Sequence, residues 1–200
     1  MDLLTAALLV VTVRTYDSYG VPARDLQTAI RVASTALAAA GVATKWIDCD
    51  TAGDRCGAVA ERSAIIVRIS RGPGGRDGGD ALGTAAVDMS VKQGSLATLY
   101  FDRVVAHASA AGADPGTLLG RAAAHEIGHL LMGTTAHAPH GLMRGRWSRT
   151  DLQRRFERDW LFSAPEADWM RRQVAARAKT APTSSDLVVA SAALGPQDGR

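Results

Sequence analysis

The chain has 200 residues, of which 46% are hydrophobic, and this suits one compact domain, or one domain with a short tail, around an ordinary core. Lys and Arg number 23 against 20 Asp and Glu. The arginines are scattered or gathered near the C-terminus rather than interleaved with aromatic residues, so the composition indicates no nucleic-acid partner.

The apolar run from Leu3 to Val13 allows two interpretations. LLTAALLVV resembles the apolar part of a secretory signal, although Asp2 stands where a positive charge belongs and no small-residue cleavage site follows. The run equally suits the start of a buried strand, because VTVRTY alternates apolar and polar side chains directly after it. It is too short for a transmembrane helix, and we expect no stable membrane span.

The first half of the chain predicts one helix among five strands. Between Pro22 and Gly41, Leu26, Ile30, Ala33 and Leu37 share one helical face. The first strand, VTVRTY, precedes this helix, and four more strands are predicted after it, at 43–49, 64–70, 82–88 and 96–102. A glycine-rich loop at 71–80 separates the third strand from the fourth, and a turn around Gln93 and Gly94 joins the last two.

The second half predicts three helices and a tail. Asp114 and Pro115 begin a helix that runs to Gly133. RTDLQRRFERDW at 149–160 is typical of another, and SAPE at 163–166 has the spacing of a capping box for a third. We therefore predict a domain over residues 1–179 and a flexible C-terminal tail over 180–200, where Pro, Thr, Ser and Gly follow no period.

The two cysteines predict a small disulfide loop. Cys49 and Cys56 lie seven residues apart in DCDTAGDRC, a turn-like stretch rich in Asp and Gly. Such a bond favours an oxidising compartment. Together with the apolar N-terminus, the predicted disulfide favours a secreted or periplasmic location. The sequence leaves a cytoplasmic location open.

Four of the five histidines lie in one stretch, AAAHEIGHLLMGTTAHAPHGLM, at 122–143. His125 and His129 are four apart, which on a helix places both imidazoles on the same face, close enough to share one metal ion. Glu126 leaves the helix about 100° around from His125, beside the metal rather than on it. From there a carboxylate can take a proton from a metal-bound water, as in HExxH zinc hydrolases.

A catalytic zinc needs a third protein ligand and one open position. Gly133 can end the helix and turn the chain back under the metal, and His137 follows four residues later, so we predict His137 as the third ligand. His140, three residues further on, is the alternative.

The stretch Leu118–Trp147 resembles the active site of the metzincin metalloproteases, with Met143 in GLM resembling the methionine turn under their three-histidine zinc site. Both steps between the second histidine, the glycine and the third ligand are four residues here instead of three, giving HExxHxxxGxxxH. Many metzincins also carry a tyrosine two residues beyond the methionine that helps to hold the transition state. This chain has Gly145 there, which leaves Arg144, His140 or a backbone N–H as the candidate partner of the oxyanion.

Two related arrangements also suit parts of the sequence. GTTAH at 133–137 resembles the GTxxD stretch of the aspzincins with His in place of Asp, and residue 137 is again the ligand. A gluzincin arrangement would instead use Glu157 or Glu166 from a later helix, leaving His137 and Met143 without a role.

The resemblance implies an α+β fold: a zincin-like domain with a twisted mixed sheet and backing helix, a zinc-binding active-site helix and a C-terminal helical part. It further implies a zinc metalloendopeptidase with His125, His129 and His137 as zinc ligands, Glu126 as general base, and a peptide or protein substrate paired with an edge strand at 81–88. The alternative is a zinc-binding or interaction protein without proteolytic activity. No oligomeric state is predicted.

Overall fold

The structure, a computed structural model, describes residues 9–51, 56, 64–73, 80–153 and 157–180. In these residues the chain forms a mixed sheet flanked by helices, an α+β architecture as predicted. The strands are β1 (Leu9–Asp17), β2 (Val42–Asp48), β3 (Ile65–Ser70), β4 (Gly83–Asp88) and β5 (Gln93–Tyr100). The helices are α1 (Ala23–Ala39), α2 (Phe101–Ala111), α3 (Pro115–Met132), α4 (Arg149–Gln153) and α5 (Ala164–Thr180), with a 3-10 turn at Glu157–Trp160.

The sheet has the strand order β2-β1-β3-β5-β4, in which only β4 runs antiparallel to its neighbour. The inner strand β3 buries Ile65, Val67 and Ile69, because alternate side chains of a strand point to one face. β4 lies at the edge of the sheet, and its outer side has no strand partner in the described part of the chain. The helix of the histidine stretch, α3, packs against β4 and β5.

Two glycines let α1 and α3 approach closely. Gly116 and Gly120 are one turn apart and therefore lie on the same face of α3. A Cβ added to Gly120 would lie 2.6 Å from the carbonyl oxygen of Ala29, and one added to Gly116 would lie 2.8 Å from that of Asp25. The backbone of α1 occupies the space that side chains would need.

The end of β5 differs from the sequence prediction. Residues 96–102 were expected to form one strand, but the strand ends at Tyr100 and α2 begins at Phe101. The α2 residues Phe101, Val104, Ala108 and Ala111 are buried at helical spacing, and Gly112 with φ 63° ends the helix. The extended run of β-forming residues into Phe101 concealed this boundary.

The predicted turn around Gln93 and Gly94 is also wrong, because both residues belong to β5. The chain turns earlier, where the carboxylate of Asp88 accepts hydrogen bonds from the backbone N–H of Ser90 at 2.8 Å and from its hydroxyl. Lys92 completes the turn with a left-handed φ of 51°. The chain therefore reverses in a short turn that begins at Asp88, and not at Gly94.

The C-terminal part agrees with the predictions in outline. In the capping box, the N–H of Ser163 donates to the carboxylate of Glu166 at 2.7 Å. The helix predicted over 149–160 is present only as α4 and the 3-10 turn, and residues 154–156 lie outside the described part. α5 is tied to α3 by the indole N–H of Trp169, which donates to the carbonyl of Met132 at 2.7 Å.

Three further predictions concern the chain ends and the cysteines. Cys49 and Cys56 are disulfide-bonded with a Cα–Cα distance of 5.5 Å, as predicted. β1 includes the apolar residues from Leu9, which fits the strand interpretation of that part, whereas residues 1–8 lie outside the described residues. Thr180 is the last residue of α5, and the remainder of the predicted tail, 181–200, is likewise outside them.

Within the described residues, no helix combines the length and apolar character needed to cross a membrane.

The close approach of α1 and α3 predicts that Gly120→Ala lowers the free energy of unfolding. Helix propensity alone would raise it by about 1 kcal/mol, whereas inserting a methyl group into a packed contact costs about 1–3 kcal/mol. We expect the second effect to prevail, because the obstructing atom belongs to the α1 backbone. Urea unfolding measures the difference, and a variant that is more stable by the full propensity gain would contradict the packing described here.

Candidate metal centre

The helix that carries the first two histidines is fixed at both ends by its sequence. Asp114 caps the N-terminus by accepting a hydrogen bond from the N–H of Thr117 at 2.7 Å, and Pro115 occupies the first turn. Gly133 ends α3 in the left-handed conformation with φ 63°. Both ends lie where the sequence predicted them. Every residue from Leu118 to Met132 except Arg121 is buried, so His125 and His129 emerge from a helix surrounded by protein.

Three histidines converge at this helix. The Nε2 atom of His129 lies 3.0 Å from Nε2 of His125 and 3.3 Å from Nε2 of His137. One nitrogen from each residue lies within 4.8 Å of the other two, and within the described residues this is the group that could hold a metal ion. His137, and not His140, joins the helical pair; His140 is exposed in the following loop.

Backbone carbonyls orient the two helical imidazoles. Nδ1 of His125 lies 2.9 Å from the carbonyl oxygen of Leu142, and Nδ1 of His129 lies 2.8 Å from that of Thr134. Because a carbonyl can only accept a hydrogen bond, each Nδ1 carries the proton, and each Nε2 presents a lone pair to the centre of the group. This is the arrangement that a metal-binding histidine requires.

Burial keeps both helical histidines neutral. Removal from water lowers the pKa of His125 to about 4; the nearby His129 and His137 lower it further, while the Leu142 hydrogen bond opposes the shift. Burial also lowers the pKa of His129, although the hydrogen bond that its Nδ1 donates to the Thr134 carbonyl opposes the shift. Near neutral pH both side chains are therefore in the form that coordinates a metal.

The loop after Gly133 places His137 through a backbone bridge. The N–H of Ala138 donates to the carbonyl of Met143 at 2.8 Å, and Ala138 pairs with Arg144 in a short parallel bridge. The segment that carries His137 thus lies alongside the segment that follows Gly141. The longer spacing of this chain still brings the third histidine to the first two.

The turn at 141–145 lies next to the histidines and contacts their helix. Met143 is fully buried, and a Cβ added to Gly128 of the helix would lie 2.9 Å from its Sδ atom. Phe162 fills the other side of Gly128, at 2.7 Å from the same position. Any side chain at residue 128, between the two histidines, would have to displace the Met143 or Phe162 side chain from this position.

Glu126 follows His125 on α3 and is not a member of this group. Its side chain is 8% exposed, and burial raises its pKa to about 7. The Cγ atom of Glu126 would lie 2.9 Å from a Cβ on Gly83, the first residue of β4. The edge strand therefore passes directly over the carboxylate-bearing side chain at a residue that has no side chain of its own.

Two of the predicted alternatives are occupied by other interactions. The guanidinium of Arg144, a candidate for the oxyanion, pairs with Asp151 at 2.8 Å and donates to the carbonyl of Gly141 at 3.1 Å. Glu166, a candidate gluzincin ligand, caps α5 through Ser163. The side chain of the other gluzincin candidate, Glu157, lies outside the described residues.

Several neighbours of the histidines were not predicted. The carbonyls of Thr134 and Leu142 have no sequence signal, because every residue carries the same group. Trp147 packs edge-on against His125, with ring centroids 5.6 Å apart, and edge-on against Trp160 at 5.1 Å. No sequence pattern pointed to Trp147, which lies in an irregular segment where helical spacing does not apply.

The fold of the chain is similar to those of two solved structures. Archaemetzincin from Methanopyrus kandleri matches 86% of this chain and 99% of its own, with a TM-score of 0.55 and 14% sequence identity. Metalloproteinase-II from Bacteroides fragilis matches 84% of this chain and 54% of its own, with a TM-score of 0.53 and 15% identity. No protein-family model matches the sequence, and no curated protein matches it either. At these identities the likeness shows the fold, and the fold of this chain is α+β and zincin-like.

Proposed function

We propose that the chain is a zinc-dependent metalloendopeptidase of the metzincin type, with His125, His129 and His137 as zinc ligands and Glu126 as general base. The observation that carries the proposal is the convergence of three Nε2 atoms beside a buried glutamate that is not one of them. The similarity in fold to an archaemetzincin and to a metalloproteinase supports it.

The donor set suits zinc. Neutral imidazole nitrogens bind zinc at about 2.0–2.1 Å in a tetrahedron, which separates the ligand nitrogens by roughly 3.3 Å. The Nε2 separations of 3.0 and 3.3 Å in this group are close to that value. Within the described residues no fourth histidine, cysteine or carboxylate joins the three, so a position is left for water or substrate. Three protein ligands and an open position are typical of catalytic rather than structural zinc.

Glu126 would move the proton in the reaction. When zinc is bound, its Lewis acidity polarises the scissile carbonyl and acidifies the attacking water. The carboxylate of Glu126 accepts a proton as the water oxygen bonds to the carbonyl carbon, and it donates that proton to the leaving nitrogen as the C–N bond breaks. Its burial between α3 and β4 excludes bulk water from this transfer.

An extended peptide is the substrate that the edge strand favours. The outer side of β4 presents backbone N–H and C=O groups, to which a substrate strand can add. Because Gly83 lies against Glu126, a peptide paired with β4 would run past the general base. Pairing of this kind uses main-chain hydrogen bonds and depends little on substrate side chains.

The ligand set predicts different outcomes for two neighbouring loop histidines. His137→Ala should weaken zinc binding by more than the 10- to 100-fold that is typical for loss of a supporting residue, because a ligand itself is removed. His140→Ala, an equally exposed histidine three residues away, is the matched control and should bind zinc like the wild type. Competition with a chromophoric chelator measures both affinities. A larger loss in His140→Ala than in His137→Ala would refute the assignment.

Glu126→Gln should abolish peptide cleavage at unchanged zinc content. The amide keeps the size of the side chain but cannot accept the proton, and loss of a positioned general base lowers rates by about 10²- to 10⁴-fold. Digestion of an unbiased peptide library, with zinc measured in the same samples, gives both readouts.

Glu166→Gln is the matched control, because its amide oxygen can still accept the Ser163 hydrogen bond and it lies outside the metal centre. It should cleave peptides as the wild type does. Equal cleavage by wild type and Glu126→Gln would show that Glu126 is not the base. A zinc-loaded wild type that cleaves nothing would favour the alternative function, a zinc-binding or interaction protein on this fold.

A further inference from the structure

The imidazole of His137 lies directly on the backbone of Gly145. A Cβ added to Gly145 would be 3.1 Å from Cγ, 3.2 Å from Nδ1 and 3.4 Å from Cβ of His137. These distances are shorter than ordinary van der Waals contacts between carbon atoms, which are about 3.5–4.0 Å. The ring therefore occupies the space that any side chain at position 145 would begin to fill.

The backbone conformation of Gly145 does not itself call for glycine. Its φ angle lies outside the left-handed range, unlike those of Gly133 and Gly141 in the same region. An L-residue there would therefore not meet the strain that a left-handed φ imposes. The feature that distinguishes glycine at this position is thus the space it leaves for His137.

The backbones on either side of this contact are held together, so they cannot easily move apart to relieve it. The hydrogen bond from Ala138 N–H to the Met143 carbonyl and the bridge between Ala138 and Arg144 hold the two backbones side by side. Met143 is anchored in turn by its packing on Gly128 of α3. The His137 ring is the part free to move, because its side chain is exposed on the remaining side.

We propose that Gly145 is a positioning residue for the third metal ligand: its bare Cα is the surface against which the His137 ring rests with Nε2 directed at the metal. This inference depends on His137 being a ligand, as in the proposed function, but not on peptidase activity. A methyl group at position 145 would displace the ring by a few tenths of an ångström. Metal centres are sensitive to displacements of this size, because bond lengths and angles are set by the ion.

Gly145→Ala should weaken zinc binding without lowering the stability of the metal-free protein, whereas loss of a purely structural residue would lower that stability. Zinc affinity should fall by about 10-fold, within the range for residues that orient ligands, and Gly145→Val should lose more. The melting temperature of the metal-free protein should stay the same or rise slightly, since alanine restricts the unfolded chain where the native conformation is unstrained.

Gly112→Ala is the matched control. Gly112 ends α2 with φ 63° and has no atom within 4 Å of an added Cβ, so alanine there is strained but touches nothing. It should lower the melting temperature and leave zinc affinity unchanged, which is the reverse of the effect at Gly145.

The decisive experiment is a double-mutant cycle in zinc affinity, measured by chelator competition, with the visible spectrum of the cobalt-substituted proteins as a second readout. Gly145→Ala should weaken zinc binding and alter the cobalt spectrum in the wild-type background, and should change neither when His137 is already Ala. An equal loss in both backgrounds, or wild-type affinity in Gly145→Ala, would overturn the proposal. Wild-type affinity in His137→Ala alone would overturn the ligand assignment itself, and with it the role of Gly145.

Discussion

The reversal of the chain at Gly133 is the constraint on which the group of three histidines depends. The left-handed conformation ends α3 one turn after His129 and brings the Thr134 carbonyl to Nδ1 of that histidine. Space also restricts this position, because an added Cβ would lie 2.0 Å from the carbonyl oxygen of Lys92 in the β4–β5 turn. The sheet and α3 therefore meet at a residue that must be glycine for two independent reasons.

The segment that follows this reversal supports all three histidines from one short turn. Leu142 orients His125 through its carbonyl, Met143 packs beneath the helix, and Gly145 lies against the ring of His137. This chain has one more residue on each side of Gly133 than the metzincin motif that its sequence resembles. His129 and His137 nevertheless lie close together. A side chain at position 145, two residues beyond Met143, would compete with the His137 ring for space, which is a physical reason for the glycine at that position.

Local patterns made much of this predictable. The spacing of the HExxH motif placed His125 and His129 on one face of a helix, and Asp114, Pro115 and Gly133 marked the ends of that helix correctly. The boundary at Phe101 was missed because Tyr and Phe favour a strand until tertiary packing buries a helical face. The contact of Gly83 with Glu126 joins residues far apart in the sequence, and the contact of Gly145 with His137 joins two segments of a non-helical loop. Sequence periodicity carries no information about either contact.

The proposed site holds zinc through His125, His129 and His137 and leaves one position open. X-ray absorption at the zinc edge of the zinc-loaded protein tests it most directly, because it counts the imidazole and oxygen ligands. We expect three imidazoles and one exchangeable oxygen ligand at about 2.0–2.2 Å. Four protein ligands, or a spectrum with fewer than three imidazoles, would contradict it.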